Sequence, residues 1–145
     1  MSDELRSTSK DAGAGRVSTS PGAANPDLRG RTYAIPFEAV WSAALLLAAE
    51  QMPRWDVSSW NDRHGTIQAH ARGRFSKAPD DIRIRVKLDD FGQTRLDMSV
   101  LARKGEEAAV KRIREFLDAL EATLQPKPGQ VLDAGYADSG GTTGS

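Results

Sequence analysis

The sequence predicts an α+β domain in the order β-α-β-β-β-β-α, in which an antiparallel meander sheet carries two helices on one face. Four stretches between residues 55 and 101 alternate apolar and polar side chains, as strands covered on one side do. Short turn-like sequences join these stretches, so neighbouring strands pair antiparallel. Apolar residues at helical spacing precede and follow them and supply the cover. Strong sheet curvature would give this layout a helix-grip shape.

The strand-like stretches are 31–35, 55–60, 66–72, 80–88 and 94–101. A first helix is predicted over 36–52, because Pro36 suits the opening turn, apolar residues recur at helical spacing, and Pro53 ends the run. The stretch 105–124 is the clearest helix, since its Val, Ile and Leu residues recur every three or four positions.

The two ends of the chain differ in composition from its middle. Residues 1–30 and 126–145 are rich in Ser, Gly, Ala and Pro and almost lack large apolar residues, which predicts disordered tails. A single domain then spans 31–125. The chain has no cysteine, which excludes disulfides and thiolate chemistry. An apolar leader segment is not apparent either, so we expect a cytoplasmic protein.

Charge argues against a dedicated nucleic-acid protein. Residues 31–125 contain 15 Lys and Arg against 14 Asp and Glu, whereas nucleic-acid-binding domains are usually basic. Nucleic acid is therefore a disfavoured partner, although the charge balance does not exclude it.

Charge is nevertheless uneven between the two sides of the predicted sheet. Turns of five residues at 61–65 and 89–93 would set the strand register. In the first hairpin Asp56 then faces His70, Ser58 faces Gln68 and Trp60 faces Thr66. In the second hairpin Arg83 faces Ser99, Arg85 faces Asp97 and Lys87 lies near Arg95. The polar side then carries the predicted site residues His70, Arg72, Arg83, Arg85, Lys87 and Arg95 with Trp60, and its acids are Asp56 and Asp97 alone.

This cationic side has two interpretations. It could bind an anionic partner, such as an acidic protein, a lipid head group or single-stranded nucleic acid. Alternating charges are also what any half-exposed strand shows, so an ordinary solvated face with weak cross-strand ion pairs is the simpler interpretation.

Chemistry-bearing motifs are few. Asp62, His64, Asp89 and Asp90 belong to two turns at the same end of the sheet, where a metal ion could bind, but turns favour Asp for backbone reasons. His70 could act as a base oriented by Asp56, yet no nucleophile is specified beside it. We therefore predict no catalytic residue, no metal and no cofactor, and an enzyme such as a hydrolase is the weakest alternative.

Aromatic residues allow a second functional hypothesis. Phe37, Trp41, Trp55, Phe75, Phe91 and Phe116 either fill the core, which a domain this small needs, or line a ligand groove. A groove under the last helix, lined by Trp41, Phe116 and Leu120, would indicate a small-molecule or lipid carrier.

Several motifs also carry a family resemblance. They are the segment 36–52 followed by Trp55-Asp-Val57, the runs DRHGTIQA (62–69) and DDIRIR (80–85), and Arg103-Lys-Gly105 followed by RIREFL (112–117). Across 31–124 the chain resembles the bacterial family called domain of unknown function 1499. It departs from that family at 99–105, where SVLARKG replaces a polar motif with two serines. The resemblance implies a bacterial protein with this fold and implies no activity, since the family's function is not established.

From these observations we expect a non-catalytic binding or accessory module. Its partner would be an anionic ligand or a protein that contacts the cationic side of the sheet.

Overall fold

The computed structural model describes residues 16–73 and 78–124, which form one six-stranded antiparallel sheet with two α-helices. The strands are β1 (Arg16–Ser18), β2 (Arg31–Tyr33), β3 (Trp55–Asn61), β4 (Thr66–Ala71), β5 (Asp80–Leu88) and β6 (Thr94–Leu101). The helices are a 3-10 turn (Pro26–Leu28), α1 (Phe37–Leu46), which continues as a π-helical turn (Leu47–Gln51), and α2 (Glu106–Leu124).

The strand order is β1-β6-β5-β4-β3, and β2 pairs with β6 along the same edge as β1. Strands β3 to β6 are therefore a meander, and the predicted α+β architecture is confirmed.

One difference lies at the start of the chain. The prediction of a disordered tail is wrong for residues 16–30, because β1 and the 3-10 turn join the fold there. The rest of that predicted tail, residues 1–15, and the predicted tail 126–145 lie outside the described residues.

The predicted register of β5 and β6 is confirmed: Arg83 pairs with Ser99, Arg85 with Asp97 and Lys87 with Arg95. The β3–β4 register is only partly as predicted. Asp56 does face His70, but a β-bulge at Ser58 shifts the following residues by one position. Ser59 therefore faces Gln68 and Trp60 faces Ile67, so the predicted pairs of Ser58 with Gln68 and of Trp60 with Thr66 are wrong.

The core lies between the helices and one face of the sheet. Its side chains from β4, β5 and β6 alternate with polar ones, as predicted. From the helices come Val40, Trp41, Ala44, Leu47, Ala48, Ala109, Ile113, Phe116, Leu117, Leu120 and Leu124. Trp55 stacks on Phe116 with ring centroids 5.3 Å apart. Of the other aromatic candidates, Phe91 is exposed in a turn and Phe75 lies outside the described residues.

Candidate binding face

The polar side of the sheet, opposite the helices, forms a concave depression of about 660 Å³. Every long strand contributes to its lining, together with the segment that follows β1. The residues are Ser18, Thr19, Ser59, Trp60, Asn61, Thr66, Ile67, Gln68, Arg83, Ile84, Arg85, Asp97, Met98 and Ser99. Of the seven predicted site residues, the depression brings together Trp60, Arg83 and Arg85, whereas His70, Arg72, Lys87 and Arg95 are not among its lining residues.

Asp81 neutralises part of the positive charge on this face. Its carboxylate accepts hydrogen bonds from Arg16 Nη2 and Gln68 Nε2. Arg83 Nε lies 3.2 Å and His70 Nε2 3.6 Å from its oxygens. The prediction that Asp56 and Asp97 are the only acids on this side is therefore wrong. Asp81 could have been found from the sequence, because it lies two residues before Arg83 and so shares its side of the strand.

Arg16 also belongs to this side and was missed in the sequence. Besides Asp81 it binds Ser99, whose Oγ lies 2.5 Å from its Nη1. The residues around Arg16 have neither the apolar alternation nor the length of a typical strand, so the sequence pattern carries no signal for its position.

Arg95 is a structural cation rather than an available one. It forms a bidentate ion pair with Asp97, and its Nη2 also donates to the carbonyl of Arg29, 2.5 Å away. Gly30 passes directly beneath the pair with φ +73°, and a Cβ there would lie only 2.5 Å from Arg95 Nη2. With its side chain 12 % exposed, Arg95 has little surface left for a partner.

The available positive charge lies on fewer residues than predicted. Arg72, Arg85 and Lys87 are exposed, and their side chains form no ion pair with the residues at 16–73 and 78–124. Arg83 remains 61 % exposed despite its contact with Asp81. Only Arg83 and Arg85 combine exposure with a place in the depression, so they form its cationic floor.

Trp60 lies at the rim of the depression, on the edge strand β3. Its pairing with Ile67, a residue buried under the helices, shows that the bulge removes Trp60 from the row of alternating cations. The residue is nevertheless 57 % exposed. Trp60 is therefore accessible at the sheet edge, but by register its side chain belongs to the helix side and not to the row of cations.

Of the remaining sequence candidates, Asp89 and His70 have structural contacts. Asp89 accepts hydrogen bonds from the backbone N–H groups of Phe91 and Gln93, at 2.8 and 2.9 Å, as Asp does in turns. Within the described part of the chain, no three His, Asp or Glu residues are grouped so that they could hold a metal ion. His70 Nε2 lies 3.6 Å from Oδ1 of Asp81, and no contact with the Asp56 side chain is found among the described residues, so the arrangement suggested by the sequence is not the one that forms.

Comparison with known proteins adds no relative. No family model matches the chain, and no curated protein matches it. The resemblance to domain of unknown function 1499 therefore stays a prediction. Among the described helices, none is long and apolar enough to cross a membrane.

Proposed function

We propose that this chain is a non-catalytic binding module that engages an acidic protein segment through the concave side of its sheet. The observation that carries the proposal is the exposed pair Arg83 and Arg85 on the floor of a depression that no described helix covers. A volume of about 660 Å³ lies in the range of ligand sites. Guanidinium groups bind carboxylates with two parallel hydrogen bonds, so an acidic segment is a complementary occupant.

The polar groups around the two arginines support a peptide more than a nucleic acid. Hydroxyl and amide side chains of Ser18, Asn61, Thr66 and Gln68 line the depression and can bond to peptide groups. Asp97 is also part of the lining, and Asp81 neutralises the neighbouring cations. Two exposed arginines in the depression can match a few carboxylates, whereas a nucleic-acid backbone carries one charge per nucleotide and would call for a longer row of cations.

The carrier hypothesis receives no comparable support, because Trp41, Phe116 and Leu120 are buried in the core and none of them lines the depression. A cytoplasmic location is part of the proposal. The absence of cysteine agrees with it, since no disulfide calls for an oxidising compartment.

The test is an amide NMR titration with a ten-residue glutamate-rich peptide at low ionic strength. We expect shifts at residues 66–68, 83–85 and 97–99. Replacing Arg83 and Arg85 together with Gln should weaken binding about five- to tenfold and flatten its salt dependence, because each exposed charge contributes a fraction of a kcal/mol.

The control is Arg114→Gln, which makes the same type of substitution once, at an exposed position on α2 across the molecule. This variant should bind the peptide as the wild type does. Equal affinities of the Arg83/Arg85 double variant and the wild type would refute the proposal.

A further inference from the structure

A second basic cluster lies on the helix side of the sheet and includes none of the residues predicted from the sequence. It surrounds a pocket of about 270 Å³ where the turn before β3, the start of β5, the β6–α2 connection and α2 meet. Its cations are Arg54, Arg103, Lys104, Lys111 and Arg112. The acids of the pocket are Asp80 and Glu115, so its formal charge is +3.

Asp80 fixes the geometry of this pocket from below. Its side chain, 12 % exposed, accepts a hydrogen bond from the backbone N–H of Arg103 at 2.8 Å and one from Arg112 Nε at 2.5 Å. Arg112 is therefore held in one orientation, and its terminal nitrogens, which form no hydrogen bond with the described residues, can bind another acceptor. Such prior fixation lowers the entropy cost of binding.

The other four cations have no carboxylate partner in the part of the chain that the structure describes. Arg54, Arg103, Lys104 and Lys111 form no ion pair with residues 16–73 or 78–124, although all four are exposed. Like charges that converge on one concave site repel one another, and an anion in the pocket would relieve that repulsion.

Arg54 adds an independent observation. Its φ of +63° lies in the left-handed region, which side chains other than Gly rarely adopt. Its Nε donates to the carbonyl of Arg72 at 3.3 Å, which helps to position the guanidinium. Unfavourable backbone conformations of this kind concentrate at binding sites, where the surrounding structure maintains them.

We propose that this pocket binds the phosphate group of a small soluble molecule. A site of about 270 Å³ is smaller than the pockets that enclose drug-sized ligands, so it suits a single anionic group. Phosphate carries up to two negative charges and accepts several hydrogen bonds, which matches fixed guanidinium and mobile ammonium donors.

The pocket is not lined by any of the exposed large apolar residues in the described part of the chain, which are Leu46, Trp60, Leu88 and Phe91. This favours a dissolved ligand over a membrane lipid.

The test is isothermal titration calorimetry with inorganic pyrophosphate at low ionic strength. The combined substitution Lys104→Gln and Lys111→Gln, both at exposed positions, should weaken binding at least tenfold. Arg54→Gly should also weaken it while the melting temperature is maintained, because Gly adopts a positive φ without strain. That variant separates loss of the guanidinium from loss of the fold.

Three outcomes would overturn the proposal: no heat of binding with the wild type at millimolar pyrophosphate, unchanged affinity in the Lys104/Lys111 variant, or equally tight binding of sulfate. The Arg83/Arg85 double variant is the control and should bind pyrophosphate normally. Conversely, the Lys104/Lys111 variant should bind the acidic peptide normally, so failure of either site can be recognised without the other.

Discussion

Arg95 and Asp97, two residues apart on β6, form a bidentate ion pair in which Arg95 Nε lies 2.9 Å from Oδ2 and Nη2 lies 2.7 Å from Oδ1. The same carboxylate accepts a hydrogen bond from Thr19 Oγ at 2.7 Å. Since Arg95 also binds the carbonyl of Arg29, the pair attaches both ends of the connection between β1 and β2 to the sheet.

Asp97→Asn should therefore loosen residues 19–30. The amide retains shape but loses the charged acceptor, and charge-assisted hydrogen bonds contribute about 1.5–3 kcal/mol. We expect urea denaturation to show a loss of about that size, and limited proteolysis to cut between 19 and 30 sooner. Arg85→Gln is the control: Arg85 faces Asp97 but forms no ion pair with it, so its stability should change by less than about 0.5 kcal/mol.

Asp81→Asn should strengthen binding of the acidic peptide. The substitution removes the negative charge that neutralises Arg16 and Arg83, and so raises the positive potential of the depression. We expect a several-fold gain in affinity, steeper salt dependence, and some loss of stability from the broken contacts. The titration described above measures the affinity. Weaker binding by the folded variant would contradict an electrostatic role for this face.

Tyr33→Phe should remove an alkaline instability. Burial, reinforced by the charge of Glu121 and opposed by that of Arg31, raises the pKa of the Tyr33 phenol to about 12. In the unfolded chain the Tyr33 phenol ionises near pH 10, whereas in the folded state it stays protonated. The unfolded state therefore releases this proton first, and the free energy of unfolding falls as the pH rises from 10 towards 12. Thermal melts at pH 7, 9 and 11 should show the wild type falling relative to Tyr33→Phe only at the highest pH.

At neutral pH the same substitution should be neutral or slightly stabilising. The buried hydroxyl has no hydrogen-bond partner among the residues that the structure describes, so its removal breaks no contact there. A loss of more than about 1 kcal/mol at pH 7 would show that the hydroxyl is bonded in solution.

Local pattern was sufficient to predict the meander. Between β5 and β6 a five-residue turn keeps apolar residues opposite each other, which is why the pairing of Arg85 with Asp97 could be predicted. The bulge at Ser58 could not be predicted, because apolar and polar residues alternate in the sequence WDVSSW equally well without a bulge.

Contacts between distant segments were harder to predict. β1 has only three residues, and its attachment depends on the ion pair of Arg16 with Asp81 and on backbone pairing with β6. The basic pocket combines residues from position 54 to position 115, and no local pattern groups them. The sequence pattern therefore predicted a cationic face, but not which of its cations are neutralised.

The position of β1 also has a consequence for biosynthesis. Arg16 and Ser99, which bond across the β1–β6 edge, are 83 residues apart in the chain. A nascent polypeptide emerging from the ribosome must therefore hold Arg16 unpaired until another 83 residues have been translated. Pairing over such a separation closes a large loop and is intrinsically slow. We expect this edge to be completed late, after the local hairpins have formed.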